Sequence, residues 1–361
     1  MNEILQNTKC RFFEQCGGCD YLDLSDESYQ TLKQNEFKKI LQNKFVIDSL
    51  SIDYIWITRD RRKIILQVDN KNNLGFFSKK TNDLVKIDSC HIANDIISNI
   101  IPKLIDFISH LEQGLVSQII LTAFDSGLDV VFNVKKEPNL SGLNKFTNLA
   151  ITNKINVSYQ KGKDLRAASL HHKNQIFYNN FKIDLASEIF IQATKSGLAA
   201  IFNFINEVIT KYQSKNIVDL YAGFGAYGFN ILDHFPQTKI TAFEGEQKMV
   251  DLMKINANKN NFNAKLQPIL RDLFNNKVNA KELDKFDLAI LNPPRNGALP
   301  QVQEIAKSKI KNIIYVSCNP LTFARDSEIL VSNGFKFERI TMLDQFYGTK
   351  HCEVIALLTK F

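Results

Sequence analysis

No run of apolar residues in the sequence approaches the roughly 20 needed to cross a bilayer as a helix. No secretory leader is legible either. The opening MNEILQNTKCRFFEQ has an early acidic residue and no long apolar stretch, so secretion is not expected. Cysteine is scarce: the six residues are not spread as a disulfide framework, and a chain of 361 residues builds its core without such staples. Neither an internal repeat nor a low-complexity tract is visible. Charge of one sign is weak, with 45 Lys and Arg against 38 Asp and Glu leaving +7. That surplus permits a polyanionic partner such as nucleic acid without requiring one. What remains, at 44% hydrophobic and 23% charged residues, is an ordinary globular composition of about two domains. A cytosolic protein is expected.

The few cysteines are unevenly placed. Cys10, Cys16 and Cys19 form C-x5-C-x2-C, with Gly17 and Gly18 between the last two. Adjacent glycines let the backbone fold tightly enough for both sulfurs to face one centre. Cys90, in KIDSCHI, is a candidate fourth ligand. Four thiolates suit tetrahedral zinc or an iron–sulfur cluster. Zinc ligands usually come as two short pairs, whereas three clustered ligands and one remote one favour the cluster.

Residues 1–180 read as the first domain and residues 181–361 as the second. A helix is expected over 25–45, capped by Ser25 and able to pack on the second domain, with Leu32, Phe37, Ile40 and Leu41 as its apolar stripe. Short strands follow, the clearest at 64–69, 74–77, 118–124 and 128–134, with a helix inserted near 92–111. The run Arg59-Asp60-Arg61-Arg62-Lys63 is either a solvated face or a phosphate contact. A helix over 196–212 opens the second domain. Runs at 216–221, 239–244, 265–270, 286–291 and 312–317 then alternate with helical stretches, and two β-like runs (335–343 and 353–361) close it. That alternation marks a doubly wound, parallel α/β sheet.

Chemistry-bearing residues cluster where strands end. The first strand runs into Gly223, Gly225 and Gly228, a turn that admits a ligand against backbone amides, and Glu244 ends the next strand, where a carboxylate can grip ribose hydroxyls. This pair alone fits a nicotinamide cofactor as well as S-adenosylmethionine. The rigid turn Asn292-Pro293-Pro294-Arg295 favours the second, because it sets a polar side chain at the mouth of the site. Asp272, after the third strand, is either an adenine partner or a solvated loop acid. Cys318 follows the strand at 312–317, where a thiol can act as a nucleophile once ionised; alone, it is as readily a small buried hydrophobe.

Together these residues resemble the RNA 5-methyluridine methyltransferase family. The resemblance rests on N-P-P-R (292–295), Y-V-S-C-N-P-L-T-F-A-R-D (315–326) and D-Q-F-Y-G-T-K-H-C-E (344–353), with support from D-R-R-K (60–63), L-G-F (74–76) and F-I-Q (190–192). The cysteine quartet is similar to that of members carrying a [4Fe-4S] cluster, and the β-barrel that some members carry in front is not seen. The resemblance implies a Rossmann-like class I methyltransferase domain behind a β-rich RNA-binding domain. It implies Cys318 as nucleophile, Glu353 as base, and Gln192, Tyr221, Gly223, Glu244 and Asn292 around cofactor or target base. Three positions depart from the family pattern: Arg62 and Thr194 stand where Asn is usual, and Ala222 replaces a common Cys or Ser.

The expected activity is S-adenosylmethionine-dependent methylation of uridine C5 in RNA. Ribosomal 23S RNA is favoured over transfer RNA, because the quartet resembles that of the large-subunit enzymes. The protein is expected to act as a monomer. A nicotinamide dehydrogenase and a non-catalytic RNA-binding iron–sulfur protein are the alternatives; an intact Cys318–Glu353 pair argues against both.

Overall fold

The computed structural model of the protein describes residues 9–46 and 51–360. Helix α1 (Asp26–Gln42) begins where the Ser25 hydroxyl accepts the Ser28 N–H at 3.2 Å, an N-cap that satisfies one free donor. Its buried residues are Tyr29, Lys33, Phe37 and Leu41, one per helical turn. Strand β1 (Ile52–Trp56) follows.

The chain then builds a seven-stranded sheet. It runs through β2 (Lys63–Val68), β3 (Leu74–Phe77), β4 (Leu84–Lys86) and helix α2 (Asp95–Ser109). It continues through β5 (Val116–Phe124), β6 (Gly127–Val134), helix α3 (Leu140–Asn153), β7 (Asn156–Lys161) and β8 (Asp164–Ser169). The order is β4-β3-β2-β5-β6-β7-β8. All neighbours are antiparallel except β6 and β7, which α3 connects. Helix α3 forms although its sequence, LSGLNKFTNLAITN, is rich in Asn, Thr and Gly, which are poor helix formers. Burial decides it: Phe146 packs on Phe132 with ring centroids 4.9 Å apart, and tertiary packing overrides propensity.

A short hairpin of β9 (Gln175–Phe177) and β10 (Lys182–Asp184) leads into helix α4 (Lys195–Tyr212). Then come β11 (Asn216–Leu220), α5 (Ala226–His234), β12 (Lys239–Glu244), α6 (Gln247–Lys259) and β13 (Leu266–Leu270). After α7 (Ala280–Leu283) the chain runs through β14 (Leu288–Leu291), α8 (Leu299–Lys307), β15 (Asn312–Ser317) and α9 (Pro320–Ser332). It ends in β16 (Lys336–Asp344) and β17 (Glu353–Thr359). The sheet order is β13-β12-β11-β14-β15-β17-β16-β1, parallel but for β17. This is the expected doubly wound sheet. Alternate residues of its strands fill two cores: Ile217, Ile290 and Ile314 enter one, and Val218, Ala289 and Ile313 the other. The strand order reverses between β11 and β14, and a crevice outside the carboxyl ends of strands at such a point is where ligands bind.

A division at residue 180 does not describe this molecule. Strand β1 pairs in parallel with β16, Ile52 opposite Ile340, at the edge of the eight-stranded sheet. Phe37 and Leu41 of α1 join the core beneath that sheet with Tyr315, Phe323 and Met342. The β-rich unit is β2 to β8, set between two segments of the α/β body.

Candidate active site

Past β11 the backbone turns sharply, with positive φ at Tyr221 (64°), Gly223 (56°) and Gly225 (88°). At Gly225 a side chain is barred by contact as well as conformation, since a Cβ there would lie 2.8 Å from Met253 Cγ. Around Gly223 there is no heavy atom within 4 Å of such a Cβ, so this part of the loop faces open space. The Gly223 N–H donates to Glu244 Oε2 at 2.8 Å, and the Glu246 N–H to Oε1 at 2.9 Å. Two backbone amides therefore fix the carboxylate at the end of β12. Beneath it, burial and the charge of Glu244 push the fully enclosed Asp219 carboxyl up to about 8.

The N-P-P-R turn closes the other side of the strand reversal. Its Asn292 N–H reaches Leu220 O at 3.3 Å, and its side-chain amide donates to the Tyr227 hydroxyl at 2.8 Å. Asp272 is exposed and caps its own loop, accepting from the Phe274 and Asn275 amides.

Cys318 stands between β15 and α9. Asn319 caps α9, accepting the Leu321 N–H, while its amide donates to Arg295 O at 2.9 Å. The cysteine turn and the N-P-P-R turn are thereby joined. The half-buried Cys318 thiol is pushed up by burial and by the Glu353 carboxylate, against the pull of the Arg295 guanidinium. Glu353, first residue of β17, is buried, which pushes its carboxyl up to about 7. The Gln345 side-chain amide donates to Glu353 Oε2 at 2.8 Å and pulls in the opposite direction.

One cavity of about 1160 Å³ connects these groups. Gln192, Tyr221, Gly223, Glu244, Asp272 and Asn292 line it, as do Cys318 and Glu353. Cys10, Cys16, Cys19 and Cys90 line it too. Burial first, then the neighbouring thiols, push Cys19 up to about 12. Cys10, Cys19 and Cys90 pack around Phe13, Leu22 and Ile92. Among the described residues, however, there is no group of three or more His, Cys, Asp or Glu arranged to hold a metal ion. The four thiols share a cavity without forming a closed ligand shell.

Two departures from the family pattern have structural explanations. Arg62 is buried, donates to Ala123 O at 3.0 Å and pairs with Asp125 at 3.3 Å, so it is unavailable to phosphate. Of the basic run, only Arg61 and Lys63 line the cavity. Thr194 is buried and caps α4, accepting the Gly197 N–H at 2.9 Å. Ala222 gives its N–H to Phe243 O and lines the cavity, with nothing here to explain the exchange of its side chain. Gln345, which touches Glu353, was legible only as part of a block. An amide beside a carboxylate eight residues away leaves no periodic signal.

The profile of the family described as tRNA (Uracil-5-)-methyltransferase matches residues 46–361. The chain belongs to this family. It is an RNA uracil-C5 methyltransferase, and S-adenosylmethionine is its methyl donor. Among its relatives, the 23S rRNA (uracil(1939)-C(5))-methyltransferase RlmD of Shewanella halifaxensis is 29% identical over 96% of this chain and 80% of its own. RlmD of Dichelobacter nodosus is 27% identical over 98% and 84%, and an uncharacterized RNA methyltransferase of Mesorhizobium japonicum 27% over 97% and 84%. The donor suits the site: the space at Gly223, the fixed carboxylate of Glu244 and the Asn292 turn surround one crevice. Among the described residues, no helix is long and apolar enough to cross a membrane.

Proposed function

We propose that the protein methylates C5 of a uridine in 23S ribosomal RNA, with Cys318 as nucleophile and Glu353 as base. One observation carries the reading. Ser317 of β15 lies opposite Val354 of β17, so the residues just beyond this pair, Cys318 and Glu353, meet at the same end of the sheet and in the same cavity. C5 of uracil is too weak a nucleophile to attack a methyl sulfonium unaided. Addition of the Cys318 thiolate to C6 forms an S–C6 bond and moves the C5=C6 electrons onto C5 as an enolate. S-adenosylmethionine supplies the methyl group that C5 then takes. Glu353 removes the C5 proton; that electron pair re-forms C5=C6 and expels the thiolate. Arg295 favours the thiolate, and the Gln345 hydrogen bond favours the carboxylate. Gln192 and Asn292 serve to orient cofactor and base, and Tyr221, Gly223 and Glu244 to hold the cofactor; Asp272, exposed and self-capped, suits an adenine edge.

The target must leave its stack to reach Cys318, which costs a few kcal/mol outside a loop. Arg61, Lys63, Arg295 and Lys350 line the cavity and suit its phosphates. The relatives named as 23S rRNA enzymes extend over nearly the whole chain, and this favours ribosomal over transfer RNA. We assign the four cavity cysteines to a [4Fe-4S] cluster, which would tie the segment at Cys10–Cys19 to the β-rich unit at Cys90. Their spacing, three near and one remote, supports this over zinc. The enzyme would act as a cytosolic monomer.

Mass spectrometry of nucleosides from ribosomal and transfer RNA of cells with and without the gene tests the assignment. Loss of 5-methyluridine from 23S RNA is expected. Loss from transfer RNA alone would move the substrate, and two unchanged RNAs would overturn it.

A further inference from the structure

Helix α1 buries a charge that the reaction does not use. The Lys33 and Asp344 side chains are each 1% exposed and pair at 3.3 Å. The ammonium also donates to Thr349 O at 2.8 Å and to the His351 carbonyl, so all three donors are matched. One turn earlier, the Tyr29 hydroxyl donates to Asp344 Oδ2 at 2.6 Å and accepts the Gly348 N–H at 3.1 Å. Helix α1 thus grips both limbs of the loop joining β16 to β17. Gln345 directly follows Asp344, Glu353 lies two residues past His351, and the two are hydrogen-bonded. Neither Tyr29 nor Lys33 lines the cavity. A buried ion pair is a poor source of stability compared with apolar packing. Its use here is specific, since its partners all lie within or at the edge of the loop that leads into the base at the start of β17.

We propose that Tyr29 and Lys33 are positioning residues for the second half of the reaction, fixing the β16–β17 loop so that Gln345 and Glu353 face the C5 proton. The proposal rests on the reading of Glu353 as base. With the grip lost, Cys318 still adds to C6 and C5 is still methylated. Removal of the C5 proton, which re-forms C5=C6 and breaks the S–C6 bond, becomes slow.

The test uses the full-length protein, ribosomal RNA from cells lacking the gene, and S-adenosylmethionine labelled in its methyl group. Methyl transfer in the first turnover is followed beside the detergent-stable protein–RNA adduct. Lys33→Met and Tyr29→Phe are expected to form the methylated adduct at the normal rate and to clear it roughly ten- to a hundredfold more slowly, the scale of a small misplacement. Formation and clearance slowed together, or both unchanged, would overturn the proposal. If Lys33→Met does not fold, Tyr29→Phe, which removes one hydroxyl, decides it alone, and normal clearance then overturns it. Glu353→Gln separates the two levels. If that variant gathers no adduct, the assignment of the base fails and the positioning role with it. If it gathers adduct while Lys33→Met and Tyr29→Phe clear normally, only the positioning role falls.

Discussion

The Gly223 N–H donates to Glu244 Oε2 at 2.8 Å, which makes the glycine loop and the end of the neighbouring strand one rigid unit. Each amide on that carboxylate is a charge-assisted hydrogen bond, worth about 1.5–3 kcal/mol. Glu244→Ala is therefore expected to weaken S-adenosylmethionine binding by on the order of 10- to 100-fold, measured by calorimetry, with RNA affinity unchanged. Gly225→Ala should weaken it as well, because its Cβ would meet Met253.

The base predicts a pH profile. Glu353 must be ionised to take a proton, so kcat should fall on the acid side with a midpoint near its value of about 7. Gln345→Leu removes the donor that favours the carboxylate, and the midpoint should rise. Stability responds in the opposite direction. The folded carboxyl sits above its ordinary 4.5, so the stability it contributes is complete below that pH and is lost as pH rises through about 7. Thermal melts should show Glu353→Gln more stable than the native protein at pH 8, with the gain vanishing at pH 4. Equal gains at both would contradict the buried acid.

Arg62 and Thr194 should act on stability and leave RNA binding alone. Arg62→Ala removes one partner of Asp125, whose side chain is 6% exposed and keeps the Lys195 ammonium at 3.1 Å and the Phe177 N–H at 2.9 Å, and should cost about 1.5–3 kcal/mol for the lost charged hydrogen bonds. The salt dependence of RNA affinity should stay as it was, whereas Arg61→Ala should flatten it. Thr194→Ala should cost about 1 kcal/mol for the lost cap, and Thr194→Asn close to nothing. Denaturant melts and binding titrations at several salt concentrations measure both.

The α/β body was legible because its central strands are buried on both faces and read as apolar runs. Ile217, Ile290 and Ile313 needed no partner to be recognised as strand residues. The site was legible for a related reason: glycines, prolines and a thiol at strand ends have few other uses. Beyond that, sequence pattern fails for identifiable physical causes. Strand β1 is two-sided and half-buried, and its neighbour is nearly 300 residues away. Helix α3 owes its existence to Phe146 and Leu149 packing on a sheet. Lys33, four residues from Phe37, reads as a solvated lysine until Asp344 is seen beside it. In the run 59–63, charge alone does not separate Arg61, which lines the cavity, from Arg62, which is buried.

The cysteine quartet makes a separate prediction. Protein purified without oxygen should carry about four irons and four sulfides per chain, the content of one such cluster, and Cys16→Ser should lose both. Zinc in their place would refute the cluster. Retained fold and RNA affinity in Cys16→Ser without iron would show that the cluster does not serve the structure.

Among the described residues, strand β1 has one sheet neighbour, β16, and that neighbour leaves the ribosome nearly 300 residues later. During synthesis β1 must therefore remain without its sheet partner until β16 has emerged. Meanwhile the β-rich unit, whose seven strands are all neighbours of one another in the chain between residues 63 and 169, can close on its own. Translation thus favours an order in which the inserted unit matures first and the sheet around it is completed only as the β16–β17 hairpin arrives, bringing Glu353 to Cys318 after the inserted unit has formed.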